Sequence, residues 1–308
     1  MKISTVIPCY NCENYIEETL NSVLNQTHKD LQIICVDNNS TDATLKILQR
    51  MSIAHSSIEI YSEKRAGANY ARNTGLMKAD GVYLQFLDSD DYITPEKFEK
   101  QSVFIEEHNL DLLISDRKVF DIHLRNEIKS FSNTNFLEKP LQYSISNIIT
   151  SGNPLYRTDF IKELGGYCGE LESSQDWEFH IRIILKNPKV GYLKGYFFYS
   201  RTVTNSLSSN YIKVSNTSCE VIKKYKKEFI DNKVYENDFV RKKILFTYFI
   251  SFLNASDSSH EYKTEFLFWY SISNGIKAFR GVNKILIYLV GIKNYLKLKK
   301  ILKYFFSC

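Results

Sequence analysis

The sequence contains no hydrophobic run long enough to cross a lipid bilayer. A membrane-spanning helix needs about 18 or more consecutive apolar residues, and the longest runs here, 244–255 and 285–292, are shorter. We therefore predict that the chain does not span a membrane. Internal repeats and low-complexity segments are also lacking, and a composition of 44% hydrophobic and 24% charged residues is typical of a globular protein.

Acidic residues are missing from the end of the chain. No Asp or Glu follows Glu265, whereas eight Lys or Arg residues do. All 35 acidic residues and the other 32 basic ones precede that point, so the first 265 residues have a formal net charge of −3. A nucleic-acid-binding protein carries its positive charge over the binding domain, so we expect no nucleic-acid partner.

The basic tail predicts contact with an anionic membrane surface. From about residue 283, Lys293, Lys297 and Lys300 fall on one helical stripe, and apolar residues fall roughly opposite. A helix with a cationic and an apolar stripe suits the bilayer interface. Two alternatives remain open: the apolar stripe packs on the body of the protein, or the helices pair between subunits of a homo-oligomer.

The first residues and the cysteines predict a cytoplasmic protein. The chain opens directly into a strand pattern instead of a signal peptide, which favours reduced thiols. Cys9 and Cys12 form a C-x-x-C motif, but no second pair follows at the spacing of a zinc site. Together with the basic tail, this predicts a peripheral protein at the inner face of the cytoplasmic membrane.

The first hundred residues alternate short β-branched runs with amphipathic stretches. Predicted strands are 3–7, 31–36, 58–61 and 82–87, and predicted helices are 13–26, 41–51 and 68–77. Repeated β-α-β units form a parallel sheet with helices on both faces. Ligands of such sheets bind beyond the carboxyl ends of the strands.

The rest of the chain is less regular. Residues 110–143 show no clear period, whereas 157–164 and 174–185 are typical of helices and 190–199 of a strand. Helical periodicity dominates from about residue 211. We therefore predict an α/β domain over 1–210, made of halves 1–110 and 111–210, and a helical, basic region over 211–308.

Three carboxylates crowd the end of a predicted buried strand. Asp88, Asp90 and Asp91 lie within four positions, and crowded carboxylates resist ionisation unless a cation lies among them. Hard divalent cations prefer oxygen ligands and complete their shell with water and phosphate. The cluster predicts a Mg²⁺ or Mn²⁺ site for a diphosphate; the alternative is an Asp-rich turn that caps the next helix.

Three further polar clusters are candidates for binding or catalysis. Residues 36–42 contain Asp37 and Asn38 after a strand, where they can face a base or ribose or simply form a turn. Arg72 lies among small residues of a helix, close enough to approach a phosphate or to form an ion pair. Asp176 stands beside Trp177 early in a helix. It is either a general base that faces a sugar, or a favourable first-turn carboxylate next to a Trp177 that belongs to the core.

The combination of these clusters resembles the family 2 glycosyltransferases of GT-A fold. The matching motifs are Ser-Thr-Val-Ile-Pro-Cys-Tyr-Asn at 4–11, Ala-Arg-Asn-x-Gly at 71–75, Asp-Ser-Asp at 88–90, Gly-Gly-Tyr at 165–167, Gln-Asp-Trp at 175–177 and the segment 201–208. The similarity covers about residues 1–210. It implies a Rossmann-like, mostly parallel α/β sheet flanked by helices, with 1–110 holding the nucleotide sugar and 111–210 the acceptor.

The resemblance also implies roles for individual residues. Asp90 would bind Mn²⁺ or Mg²⁺, and Asp91 would be a further contact to the metal or donor. Asp176 would be the catalytic base, with Gln175 and Trp177 on the acceptor side. The residues implied in nucleotide binding are Pro8, Tyr10, Asn11, Asp37, Asn38, Arg72, Asp88 and Ser89.

The implied activity is inverting, metal-dependent hexosyl or N-acetylhexosaminyl transfer from a nucleotide sugar. The implied acceptor is a glycan or lipid-linked molecule of bacterial lipopolysaccharide, capsule or other surface-glycan synthesis. The position of Asn38 usually holds an Asp that accepts the imide N–H of uracil, and an amide oxygen can accept the same proton. UDP-sugar is therefore the favoured donor, and Asn38→Asp is expected to preserve or improve UDP binding.

Two other functions are compatible with an acidic α/β sheet. A sugar-nucleotide nucleotidyltransferase would carry a basic, Gly-rich loop after its first strand, but residues 8–12 contain neither Gly nor Lys. A non-catalytic, membrane-associated binding protein would be favoured by loss of the carboxylates, which are present. Turnover of UDP-sugars with Mn²⁺ by the purified protein distinguishes these functions.

Overall fold

The chain divides into two compact units. The computed structural model describes residues 1–202, 210–254 and 259–272. The first unit is Met1–Tyr211 and the second is Ile212–Cys308. The first contains a sheet with helices packed on it, and the described part of the second is helical.

One nine-stranded sheet runs through the first unit. Its strands are β1 (Ile3–Cys9), β2 (Leu31–Asp37), β3 (Ile58–Ser62), β4 (Tyr83–Phe86), β5 (Tyr92–Ile93), β6 (Leu112–Phe120), β7 (Glu127–Phe131), β8 (Leu155–Arg157) and β9 (Val190–Arg201). Their order is β3-β2-β1-β4-β8-β6-β9-β5, and β7 pairs with β6.

The helices of the described residues fall between and after these strands. In chain order they are α1 (Ile16–Leu24), α2 (Thr44–Ala54), α3 (Ala68–Lys78), α4 (Lys97–Glu107), α5 (Pro140–Ser146), α6 (Thr158–Leu164), α7 (Gln175–Leu185), α8 (Tyr211–Lys224), α9 (Lys226–Asp231), α10 (Asp238–Asn254) and α11 (Ser259–Ile272). The described residues also contain two 3-10 helices, Thr134–Leu137 and Val234–Glu236.

The first half of the sheet is parallel, as the sequence predicts. β1 pairs in parallel with β2 and β4, and β2 with β3. Every residue of β1 is buried because side chains alternate between two covered faces. Ile3 and Ile7 belong to a core that also contains Leu20 of α1 and Leu48 of α2. On the other face, a side chain at Gly75 of α3 would collide with Val6, so α3 lies close against the sheet.

The second half of the sheet is mixed. β8 is antiparallel to β4 and β6, β5 is antiparallel to β9, and only the β6–β9 pair is parallel. The segment 110–143, which the sequence left without assignment, forms β6, β7 and α5. At the tip of the β6–β7 hairpin, the Asp121 carboxylate accepts backbone N–H groups of His123, Arg125 and Asn126.

The parallel topology brings the polar clusters together. β1, β2 and β4 run in the same direction, so the segments that follow Cys9, Asp37 and Phe86 lie at one edge of the sheet. This is the edge at which open α/β sheets bind their ligands.

The second unit packs its described helices around aromatic and thiol groups. Tyr248 of α10 and Trp269 of α11 are fully or nearly fully buried, and the Cys219 thiol of α8 lies 3.3 Å from the Ser251 hydroxyl. Within the described ranges, each helix falls short of the length or hydrophobicity needed to cross a bilayer. The predicted membrane-binding tail and most of the segment 201–208 lie outside the described residues.

Candidate active site

The loops that follow β1 and β2 are joined by Asn11. Its Oδ1 accepts the backbone N–H of Thr41 at 2.8 Å, and its own N–H donates to the Ser40 hydroxyl at 3.2 Å. Asn11 has a left-handed backbone with φ of 46°, which Asn tolerates better than most residues. The neighbouring Tyr10 is 62% exposed, whereas Pro8 is buried within β1. The ring of Tyr10 is thus open to a ligand.

The side chain of Asn38 is engaged with the segment 63–67. Its Nδ2 donates to the carbonyl oxygens of Glu63 and Arg65, both at 2.7 Å, and its Oδ1 accepts the Gly67 N–H at 2.8 Å. The residue is buried, so these bonds fix the segment while leaving one lone pair on the amide oxygen. A role in holding this loop is a function of Asn38 that the sequence did not reveal.

Asp37 has an oxygen without a hydrogen-bond partner. Its side chain is buried, and Oδ1 finds no donor in the described part of the chain. Its backbone carbonyl accepts the Glu63 N–H at 3.0 Å. A buried oxygen without a donor costs free energy, so a ligand N–H or O–H would satisfy Asp37.

Glu63 is a residue of this region that the sequence analysis did not single out. Its carboxylate accepts the Arg65 backbone N–H at 2.8 Å, the Arg65 guanidinium at 2.7 and 3.0 Å, and the Thr74 hydroxyl at 2.6 Å. These bonds, foremost the one from the Arg65 side chain, lower the pKa of Glu63 to about 2. Glu63 therefore fixes the segment 63–67 to α3. No motif signals it; only its contacts in the fold do.

Arg72 on α3 forms a buried ion pair with Asp88. Its Nη2 lies 2.6 Å from Asp88 Oδ1, and its Nη1 donates to Asn69 Oδ1 at 3.2 Å. Burial opposes the charge of Arg72, yet neighbouring acidic groups, Asp88 first, raise its pKa above the ordinary value. Its Nε is buried and has no acceptor among the described residues.

The acidic turn after β4 is held by Thr19 of α1 and Arg201 of β9. The Thr19 hydroxyl donates to the carbonyl oxygens of Ser89 and Asp91, both at 2.9 Å. The N–H of Arg201 donates to Asp91 Oδ1 at 2.9 Å, and its Nε donates to the Asp90 carbonyl at 2.7 Å. Asp91 is thus buried as part of the scaffold, whereas Ser89 and Asp90 are half-buried at the surface of the turn.

The charges of this turn are not compensated by protein cations alone. Burial, followed by the charge of Asp88, raises the pKa of Asp90 to about 6, and burial and the charges of Asp90 and Asp88 raise the pKa of Asp91. In the described residues no three His, Cys, Asp or Glu side chains converge as a complete ligand set. A divalent cation fits this turn if Asp90 is one ligand and other oxygens come from water and phosphate.

Asp176 lies in the first turn of α7, where two donors orient its carboxylate. Oδ2 accepts the Ser151 backbone N–H at 3.0 Å, and Oδ1 accepts the Tyr167 hydroxyl at 3.2 Å. Burial raises the pKa of Asp176, the charge of Arg72 opposes this, and Asp88 adds to it. The residue is half-buried, and its carboxylate is oriented by these donors and more basic than that of a free Asp.

A buried lysine supports the loop that holds Asp176. The side chain of Lys97 is fully buried, and its Nζ donates to the Asn153 carbonyl at 2.7 Å and to Gln101 Oε1 at 2.8 Å. Burial lowers the pKa of Lys97 well below its ordinary value. Asn153 also bonds Ser115 of β6. The loop 151–153 is thereby fixed to α4 and to the sheet, a link that no sequence motif indicated.

Trp177 and Gln175, which were both predicted for the acceptor side, lie in different surroundings. Trp177 is 2% exposed, and its indole N–H donates to the Ile145 carbonyl at 2.9 Å. The prediction that Trp177 faces the acceptor is therefore corrected: its ring anchors α7 on α5 because so large an apolar surface is more stable when buried. Gln175 begins α7 and is half-buried.

A continuous set of contacts joins the acidic turn to Asp176. The Arg72 guanidinium, paired with Asp88, lies 5.0 Å from the ring centroid of Tyr167. The hydroxyl of the same ring reaches Asp176 at 3.2 Å. The Asp88 end of this chain adjoins the turn, and its Asp176 end belongs to the second half of the sheet. Carboxylates from both halves thus face one region.

Comparison with known proteins identifies a fold and a family. TarS of Staphylococcus aureus, a poly(ribitol-phosphate) beta-N-acetylglucosaminyltransferase, is 31% identical over 221 residues, which are 69% of this chain and 38% of TarS. The crystal structure of TarS 1–349 with UDP-GlcNAc matches with a TM-score of 0.60 at 24% identity, covering 89% of this chain and 74% of that one.

A more distant structure has the same fold. The mannosyltransferase PcManGT of Pyrobaculum calidifontis, in complex with GDP-Man and Mn²⁺, matches with a TM-score of 0.60 at 14% identity and covers 98% of this chain and 84% of that one. These likenesses confirm the predicted α/β fold of GT-A type. Residues 4–165, more than half of the chain, match the sequence profile described as Glycosyl transferase family 2. The protein therefore belongs to glycosyl transferase family 2, as its motifs predict.

Proposed function

We propose that this chain transfers a sugar, with inversion, from a nucleotide diphosphate to an acceptor hydroxyl. One observation carries the proposal: the Arg72–Asp88 pair of the first half and the oriented Asp176 of the second are linked through Tyr167. A donor phosphate beside Arg72 and an acceptor beside Asp176 would then meet between them. In this proposal 1–210 is the catalytic domain and 211–308 a separate helical region.

The nucleotide would lie on the loops at the carboxyl edge. The exposed Tyr10 ring offers a stacking surface, and Asn11 and Pro8 shape the loop that presents it. The unpartnered Asp37 oxygen would accept a nucleotide N–H or O–H. Uracil is the favoured base, and Asn38 would contribute mainly by holding the segment 63–67.

The diphosphate and a divalent cation would lie at the acidic turn. Asp90 would hold Mn²⁺ or Mg²⁺, with Asp88, Ser89 and Asp91 around it, because the pKa values of Asp90 and Asp91 are raised even though Arg72 pairs with Asp88. When bound, the ion would neutralise charge on the departing diphosphate. The Arg72 guanidinium, which pairs with Asp88, would donate to a phosphate oxygen on the same side.

Asp176 would act as the general base. As the acceptor oxygen forms its bond to the anomeric carbon and the bond from that carbon to the diphosphate oxygen breaks, the hydroxyl proton would pass to Asp176. The Ser151 N–H and the Tyr167 hydroxyl orient the carboxylate, and its raised pKa improves it as a proton acceptor. Gln175, beside it, would line the acceptor side.

Surface-glycan synthesis is the setting that we propose. Similarity to TarS, whose name states a poly(ribitol-phosphate) acceptor, supports this setting, although the chain spans 38% of that protein. A lipid-linked acceptor and peripheral binding at the cytoplasmic membrane through the basic tail belong to the same proposal. Pairing of helices between the subunits of a homo-oligomer also belongs to the proposal.

A donor panel tests the proposal. Purified protein is incubated with Mn²⁺ and UDP-glucose, UDP-N-acetylglucosamine, UDP-galactose or GDP-mannose, and release of the nucleoside diphosphate is followed. We expect at least one UDP-sugar to be turned over and UDP to bind in calorimetry. Absence of UDP binding together with absence of turnover would overturn the proposed function.

A further inference from the structure

Arg117 is a half-buried cation that lacks a hydrogen-bond acceptor among the described residues. It lies on β6, and no hydrogen bond or ion pair joins its guanidinium to any residue that the structure describes. A guanidinium cannot shed its proton, so it keeps its charge, and buried charges are usually paired. The other buried or half-buried arginines of the described first unit have carboxylate partners: Arg72, Arg157, Arg182 and Arg201.

An aromatic ring supports the Arg117 guanidinium. Its Cζ lies 4.0 Å from the ring centroid of Phe131, its Cα partner on β7. The Lys129 ammonium lies 4.4 Å from the same centroid. Stacking on a ring orients a guanidinium but gives its N–H groups no hydrogen-bond acceptor. Two cations on one ring form a site of positive charge that an anion would complete.

The position of Arg117 is on the acceptor side of the candidate site. Burial lowers its pKa, and the charges of Asp91, Tyr143 and Asp176 oppose this, so it lies within electrostatic reach of the proposed base. It is in register with Phe198 of β9, whose ring packs against Gly152. Gly152 adjoins Ser151, whose N–H holds Asp176. Arg72, the cation beside the proposed donor phosphate, lies on α3 in the other half of the unit.

We propose that Arg117, stacked on Phe131 beside Lys129, binds a phosphate group of the acceptor. The inference rests on the proposed transfer reaction and adds the chemical class of the acceptor, a phosphate ester that also bears the attacking hydroxyl. The planar fork of a guanidinium matches two phosphate oxygens. Without such a cation, the carboxylates Asp91 and Asp176 would repel an anionic acceptor.

Three compounds that share a three-carbon skeleton test which class of anion binds at Arg117. Ligand-observed NMR measures binding of glycerol 3-phosphate, glycerate and uncharged glycerol to the full chain, saturated with UDP and Mg²⁺. We expect glycerol 3-phosphate to bind more tightly than glycerate, and glycerol not to bind. Arg117→Gln should weaken glycerol 3-phosphate at least about tenfold, the effect of one lost charge-assisted bond, and leave UDP affinity unchanged.

The control variant removes the positive charge of another arginine on the β6–β7 hairpin. Arg125 is exposed near the hairpin tip, and Arg125→Gln should leave both affinities unchanged. Arg117→Lys keeps the charge but loses the planar guanidinium that can bond two phosphate oxygens. It should weaken binding of glycerol 3-phosphate severalfold. It takes the place of Arg117→Gln if that variant fails to fold.

Several results would overturn the inference. They are no binding of glycerol 3-phosphate to the wild type, equal binding of glycerate, equal weakening by Arg125→Gln, or no effect of either Arg117 variant. Loss of UDP affinity in Arg117→Gln would place the residue in the donor site instead. If the wild type neither binds UDP nor turns over any donor, the proposed function fails separately, and the same titrations without UDP still decide the phosphate site.

Discussion

The hydroxyl of Tyr167 donates a hydrogen bond to Oδ1 of Asp176 at 3.2 Å. Tyr167 is buried, and its ring stacks on Phe179 with centroids 3.9 Å apart. A hydrogen bond to the ionised form stabilises a carboxylate, so this contact offsets part of the rise that burial gives to the pKa of Asp176. The proposed base is therefore tuned by a residue from outside its own helix.

Tyr167→Phe should shift the acidic limb of the pH–rate profile upwards. Removing the hydroxyl removes a bond to the ionised carboxylate, so the pKa of Asp176 rises and ionisation requires a higher pH. The rate at pH 6 should fall more than the rate at pH 8, as kcat/KM profiles will show. Tyr192→Phe, which removes a hydroxyl bonded to Asp116, is the control. An unshifted profile for Tyr167→Phe would contradict the tuning.

Asp176→Asn should lower the transfer rate by about 10²-fold or more, the usual scale for loss of a general base. The amide cannot take the acceptor proton, while UDP affinity should change little because the donor side is untouched. Steady-state rates and calorimetry measure the two effects. Asp159→Asn, at an exposed position of α6, should retain full activity. Loss of UDP binding in Asp176→Asn would place the residue in the donor site.

Asp90→Ala should abolish metal-dependent transfer and keep the fold. Asp90 is half-buried with a pKa raised to about 6, so removing its charge should not lower the melting temperature in metal-free buffer. Mn²⁺ with UDP should raise the melting temperature of the wild type, because ligands that bind the native state stabilise it, but not that of the variant. Near-wild-type transfer by the variant in Mn²⁺ would show that Asp90 is not the metal ligand.

Asn38→Asp should weaken UDP binding, opposite to the expectation from sequence. The structure shows Nδ2 donating to the carbonyl oxygens of Glu63 and Arg65, and a carboxylate would face these oxygens without a proton to offer. Displacement of the segment 63–67 should follow, and calorimetry with UDP measures its effect. Asn21→Asp, exposed on α1, is the matched control. Unchanged or tighter UDP binding would restore the original expectation.

His180 should make the protein sensitive to acid. Burial lowers its pKa from 6.5 to about 4, and its Nδ1 donates to the Asp176 carbonyl while its Nε2 accepts the Tyr156 hydroxyl. Between these pH values the unfolded chain binds a proton that the folded chain does not. The free energy of unfolding should therefore fall by about 1.4 kcal/mol per pH unit on acidification.

Urea unfolding at pH 7.5, 6.5 and 5.5 isolates this contribution. Between pH 6.5 and 5.5, His180→Gln should lose less stability than the wild type, since other titrating groups are common to both. His55→Gln, at an exposed position, should keep the wild-type dependence. The same dependence in His180→Gln as in the wild type would mean that His180 is not held neutral.

The regular elements were largely predictable. The predicted strands 3–7 and 31–36 correspond to β1 and β2, and the predicted helix 174–185 to α7, because buried elements carry a clear apolar period. The β6–β7 hairpin was not predictable, because β7 is exposed along nearly its whole length and has no alternation of apolar and polar residues. Trp177 shows the same limit for side chains: proximity to Asp176 in sequence did not reveal that its ring points into the core.

Sequence by itself determined the family, the α/β sheet and the carboxylates at its edge, because local patterns and spaced motifs encode these directly. Only the tertiary structure decided which polar and charged side chains already have hydrogen-bond or ion-pair partners. Asn38 and Asp37 are adjacent in the chain, yet the Asn38 amide bonds to the segment 63–67 through both its nitrogen and its oxygen, whereas the buried Oδ1 of Asp37 has no donor among the described residues. Likewise Arg72 has a carboxylate partner and Arg117 has none among the described residues. Pairing of buried charges depends on contacts between residues distant in sequence, which no local pattern contains.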